Sequence, residues 1–192
     1  MTALVPTTLN ANSFYRLYAP ACIEEEGPYY AFDFKFTGAF GATEFSLEAI
    51  KARKIRCQEV AGYCVIALVV SVIVLSLFRR MDLIVLPIIV FLAGVAMQLS
   101  EIKTLEKVSS LYHFILSNPE PEKRTDALLS AGPNVLQRCW EFGCIPKDNL
   151  DRSHKTICDI GNALVEGHPE DFATHRARLI ASLQTLPAQG LL

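Results

Sequence analysis

Four side chains in the C-terminal half carry metal-ligand chemistry at close spacing: Cys139, Cys144, His154 and Cys158. His154 and Cys158 are four apart, so on a helix they share one face and could supply two corners of a zinc site. Cys139 and Cys144 fit less well, because four residues separate them where structural zinc pairs usually have two. Cys139 also adjoins Trp140 in an apolar helical pattern, where a thiol acts as a small apolar side chain. No metal is expected. The same thiols could act as nucleophiles if a base such as His154, His168 or His175 stood beside them. Any chain with these residue counts offers such pairs. There is no glycine-rich phosphate loop, no nucleophile elbow and no set of paired carboxylates in a recognisable setting. The chain therefore reads as a non-enzyme, with no catalytic residue and no cofactor.

Composition narrows the partners. A formal net charge of −2 excludes nucleic acid as the main partner, because phosphate binding needs clustered excess cations. Thr2 to Leu17 contains no continuous apolar core and its first cation is Arg16, so no cleavable signal peptide is expected. With Cys64 lying inside an apolar run, the six cysteines read as reduced thiols.

The elements that would position these groups are dominated by two apolar spans, residues 60–78 and 83–100. The first has no charge in nineteen positions and the second none in eighteen. About 20 helical residues cross a bilayer core, so both spans are long enough. The β-branched run VVSVIV would suit a strand in water, but in lipid only a helix satisfies its own backbone. The connector Arg79-Arg80-Met81-Asp82 makes the helices antiparallel, with Asp82 as an N-cap for the second. Both flanks then share one side of the membrane. Lys51, Arg53, Lys54, Arg56, Lys103 and Lys107 on the flanks outnumber Arg79 and Arg80 in the connector, which predicts cytosolic termini. Ala67 and Ser71 in one helix, and Ala96 and Ser100 in the other, are expected to permit close packing.

The flanks are unlike one another. Residues 1–12, rich in Thr and Asn and uncharged, read as disordered. Residues 13–59 form an aromatic-rich flank ending in a basic helix that leads straight into the first span. The ten Phe and Tyr residues of that flank lie between Ser13 and Phe45. Alternation of Phe32, Phe34 and Phe36 with Asp33 and Lys35 predicts a short strand, entered by a turn at Gly27-Pro28. That aromatic segment is open to three readings: a partner surface, a membrane-interface belt, or a hairpin packing on the chain's own C-terminal region. Residues 101–192 read as helices separated by Asn118-Pro119, Gly132-Pro133, Gly143 with Pro146, and Gly167-His168-Pro169. The fold class is thus mainly α: a transmembrane hairpin of residues 60–100, a small C-terminal helical bundle, and a short aromatic β segment in the N-terminal flank.

The spans VAGYCVIALVVSVIVLSLF and LIVLPIIVFLAGVAMQLS, joined by RRMD, resemble the chlamydial inclusion membrane proteins, which such a bilobed hydrophobic hairpin defines. The resemblance covers about 40 residues and concerns topology alone. It implies a type III secreted protein, inserted in the membrane of the bacterium-containing vacuole with its termini toward the host cytosol. The uncharged Thr/Asn-rich start is similar to a type III secretion signal. No catalytic residue carries over. The heptads after the second span last barely two repeats and include Ser109, unlike the coiled-coil members, so no SNARE-like role is expected. The resulting expectation is a multi-pass membrane protein whose partners are the lipid bilayer and a host protein. The alternatives are a bacterial inner-membrane protein of envelope or secretion function, with a bacterial partner, and a membrane-tethered hydrolase or zinc domain. Arg138, Trp140, Arg176 and Arg178 are the expected partner-binding anchors, because interface hot spots favour Trp and Arg.

Overall fold

The computed structural model describes residues 10–26, 29–32, 35–41, 47–78 and 83–183. The expected secretion signal over the first residues and the connector with Arg79, Arg80 and Asp82 lie outside or largely outside them. Among the described residues the chain is mainly helical, with α1 (Ala11–Cys22), α2 (Leu47–Leu77), α3 (Val85–Ser117), α4 (Pro121–Leu129), α5 (Pro133–Phe142), α6 (Lys147–Val165) and α7 (Asp171–Leu183). Two four-residue stretches, β1 (Ile23–Glu26) and β2 (Tyr29–Phe32), pair antiparallel in the register Ile23 to Phe32 and Glu26 to Tyr29. The expected strand through Phe32, Phe34 and Phe36 is not supported: Lys35 to Gly41 has neither helix nor strand, and Phe36 is spent on a ring contact with α5 instead.

The chain divides into two compact units, residues 46–106 and residues 1–45 with 107–192. In the first, α2 runs from the basic stretch into the apolar one without a break, as expected. Three pairs fix its direction against α3. Lys54 meets Glu106, Arg53 approaches Glu101 at 3.9 Å, and Gly94 faces the Cys64 sulfur. Positions 53 and 54 of α2 meet 101 and 106 of α3, and position 64 meets 94, so the two helices are antiparallel. Each is long and apolar enough to cross a membrane, and none of either apolar stretch is buried. Tyr63, Ile66, Ile73, Leu77, Leu86, Ile89 and Met97 all stand exposed on the outside of the pair. Along the inner seam Ala61, Cys64, Ala67 and Ser71 are half-buried at spacings of three and four, alongside the larger Leu68, Val72 and Leu75. Ala67 and Ser71 are half-buried there. Ala96 and Ser100 are not, for both are exposed. The close approach falls at Gly94, where an added Cβ would stand 3.2 Å from the Cys64 sulfur. Alanine at 96 lies off the seam because successive helical residues turn about 100° apart.

The second unit is a helical bundle. α6 packs against α7, α4, α5 and α1, and α7 also packs on α4. Its core holds Leu111, Leu128, Leu136, Leu150, Ile157, Ile160, Leu179 and Leu183, spaced at helical intervals within their elements. α1 belongs to that core. Phe14 and Tyr18, one turn apart, are fully buried, their rings stack at 4.6 Å, and Phe14 meets Phe172 of α7 edge-on at 6.1 Å. Residues 10–12 are accordingly not a disordered tail. Asn10 accepts from the Ser13 backbone N–H at 2.9 Å and the Ser13 hydroxyl accepts from that of Asn10 at 3.0 Å, a reciprocal capping box that starts α1. The C-terminal bundle expected over residues 101–192 thus takes its aromatic keystone from the N-terminal flank.

Candidate functional site

The densest set of specific contacts outside the core lies on α5 and α6, around the chain's sole tryptophan. α5 begins with Pro133, whose missing N–H costs nothing at a helix start. It ends at Gly143 in the left-handed conformation, φ 61°. The Cys144 N–H donates to the Cys139 carbonyl at 3.0 Å and that of Gly143 to Trp140 at 3.2 Å, the paired bonds of a Schellman motif. This stop holds Trp140 on the last turn. Lys35 to Gly41 then crosses α5 as an irregular strap, bent at Gly38 where φ is 85°. Phe36 stacks flat on Trp140 with ring centres 4.8 Å apart and an angle of 6°, and Phe40 meets the indole edge-on at 4.9 Å. The ring of His154 on α6 lies 5.2 Å from Phe36, and the Lys147 ammonium 5.9 Å from the indole centre.

The strap's backbone is held as closely as its rings. Thr37 donates its N–H to Gln137 Oε1 at 3.0 Å and its carbonyl accepts from Gln137 Nε2 at 2.7 Å. The Trp140 indole N–H donates to the Gly38 carbonyl at 3.5 Å, and the Gly41 N–H donates to the Trp140 carbonyl at 2.9 Å. Gly41 sits so tightly on the end of α5 that a Cβ there would overlap the Glu141 carbonyl oxygen and the Gly143 nitrogen. Glycine is required at 41 for this close approach rather than for its own torsion angles.

The thiols form two pairs on different elements. Cys139 and Cys144 occupy the C3 and C″ positions of the Schellman motif, which commonly touch. Both are buried. The neighbouring Cys144 thiol, and burial, hold the Cys139 thiol well above its ordinary pKa, so it stays protonated and unreactive. Cys158 and His154 lie one turn apart on α6, sulfur to Nε2 3.8 Å. Among the described residues no three side chains of His, Cys, Asp or Glu converge as a metal site.

The expected anchors fall in three settings. Arg176 on α7 grips Asp126 on α4 with both ends of its fork, Nε to Oδ1 at 2.7 Å and Nη2 to Oδ2 at 2.8 Å. That pairing holds its guanidinium pKa above the usual value. Its role is to tie two helices, and its fork is occupied. Arg138 pairs with Glu141 one turn on, both half-buried. Arg178 is exposed. Trp140 is half-buried beneath the strap. Of the membrane-flanking cations, Lys54 and Arg53 face acids of α3, while Lys51, Arg56, Lys103 and Lys107 are exposed. Packing of the aromatic flank on the C-terminal region was one of the expected readings, but the strap's form was not foreseen, because Phe36 and Phe40, four apart around Gly38, match no regular element. α1 was signalled by Asn10 and Ser13 at capping-box spacing, followed by Phe14 and Tyr18 one turn apart. Comparison of the chain with family models, with curated proteins and with solved structures found no match.

Proposed function

We propose that this chain is an integral membrane protein anchored by the α2–α3 hairpin, which presents a helical unit made from both flanks to the cytosol, where that unit binds a protein. Following the resemblance of the hairpin, the membrane is that of a host vacuole, the chain a secreted bacterial protein, and the partner a host protein. One observation carries the anchor: two paired helices expose large apolar side chains all round, with none of either apolar stretch buried. Contiguous apolar surface beyond a few hundred Å² is covered by lipid or by another protein. Lipid fits better here, because each stretch is uncharged over about the length a bilayer core requires. The binding role is supported by a built aromatic surface at Trp140, where Phe36, Phe40 and Lys147 meet the indole. The test is fractionation beside a hairpin-free variant, residues 10–41 joined to 107–183 by a long glycine-serine linker. The full chain should stay with the membranes in alkaline carbonate. The linked variant should be soluble and helical, with the Trp140 emission of the parent. Release of the full chain by carbonate would overturn the anchor.

A further inference from the structure

We propose that the face of α5 and α6 around Trp140 is a peptide-binding site. The segment it takes from a partner is short and bent at a central glycine of positive φ, with two aromatic side chains four residues apart flanking that glycine and a second glycine directly after the latter aromatic. The proposal rests on the reading above that the unit binds protein, and it names the surface and the chemistry recognised. It follows from how the chain's own strap is seated. The Gln137 amide engages both the N–H and the carbonyl of Thr37, at 3.0 and 2.7 Å, pairing with the backbone as a neighbouring strand would. That contact ignores the side chain at the position. Trp140 reads the backbone twice more, through its indole N–H to Gly38 and its carbonyl to Gly41, and takes Phe36 in a flat stack and Phe40 at a steep angle. Lack of room for a Cβ at position 41 demands glycine there. Backbone pairing for affinity and side-chain slots for specificity are the features by which folded domains take short peptides.

The strap resembles a resident ligand more than a core element. Lys35, Thr37, Gly38 and Ala39 are exposed, and Phe36, Phe40 and Gly41 are only half-buried. Ordering a short peptide consumes much of what such contacts return, so its hold is modest. A partner segment of the same chemistry, brought close by the shared membrane, competes at high effective concentration.

The experiment uses the full chain in detergent with Phe36→Ser and Phe40→Ser, which frees the face, and the seven-residue peptide KFTGAFG as the probe. Binding is read from Trp140 emission and from anisotropy of the labelled peptide. The freed chain should bind the peptide saturably, and the unaltered chain at least about tenfold more weakly because its strap is in place. Adding Gln137→Ala should weaken binding about tenfold through loss of two hydrogen bonds. A peptide with both phenylalanines replaced by serine should not bind. If the double-serine chain loses its cooperative thermal transition by Trp140 fluorescence, Gly41→Ala frees the face by backbone overlap alone and is titrated instead. A folded, freed chain that takes no peptide, or binds it equally well without Gln137, overturns the proposal. So would Thr37→Cys and Gln137→Cys on separate copies cross-linking efficiently, since the occupant would then be a second copy. The titration is blind to membrane topology, so its failure leaves the anchor to be judged by fractionation.

Discussion

Replacing Phe14 by alanine tests whether the N-terminal flank belongs to the folded unit. Phe14 is fully buried, stacked on Tyr18 at 4.6 Å and set edge-on to Phe172 at 6.1 Å. Removing a buried phenylalanine costs about 3–5 kcal/mol through lost burial and the cavity left behind. A domain of this size holds only about 5–15 kcal/mol in all. Its melting midpoint should therefore fall by on the order of 10–20 °C. Trp140 fluorescence is the appropriate probe, because the only tryptophan lies in the bundle and is blind to helix that detergent preserves in α2 and α3. Tyr15→Ala is the control: Tyr15 is 40% exposed, and its loss should cost no more than about 0.5 kcal/mol. If Phe14→Ala melted within about 2 °C of the parent chain, the placing of α1 in the core would be refuted.

Three further outcomes are expected. Asp126→Ala strands the half-buried fork of Arg176 and should cost about 2 kcal/mol, between the values for exposed and buried pairs; a double-mutant cycle with Arg176→Ala should return a coupling of about 1–2 kcal/mol. The raised Cys139 pKa means the folded state keeps a proton that the unfolded chain gives up, so stability should be constant below about pH 8.5 and decline above it. Urea midpoints across that range should show the decline in the parent chain and less of it in Cys139→Ala. Gly41→Ala should red-shift Trp140 emission while leaving helix content unchanged, because the added Cβ meets backbone that cannot yield.

What was legible in the sequence is what repeats or punctuates. Two uncharged runs marked α2 and α3, and the glycine-proline breaks bounded α4 to α7, with Gly143 and Gly167 both left-handed where α5 and α6 stop. What was not legible depends on residues far apart in the chain. Phe36 and Trp140 meet across about a hundred positions, and no local period records that pairing. Arg176 looked like a free anchor because its partner Asp126 is 50 residues away. The seam of the hairpin was half legible: Ala67 and Ser71 lie on it, but helix rotation placed Gly94 there instead of Ala96. Cys139 was read from the sequence as a small apolar side chain and is buried, but its neighbour Cys144 was not so read, because their touching depends on how the helix stops at Gly143.

The most direct test of the anchor is side-specific labelling in sealed vesicles. Asn12→Cys, Met81→Cys and Glu166→Cys are introduced separately, and each is exposed to a membrane-impermeant maleimide, with the parent chain as background. Asn12 and Glu166 are exposed positions in the two flanks, and Met81 is in the connector. The hairpin requires the two flank sites to react from one side and the connector site from the other. Flank sites reacting from opposite sides, or all three reacting from one side alone, would contradict it.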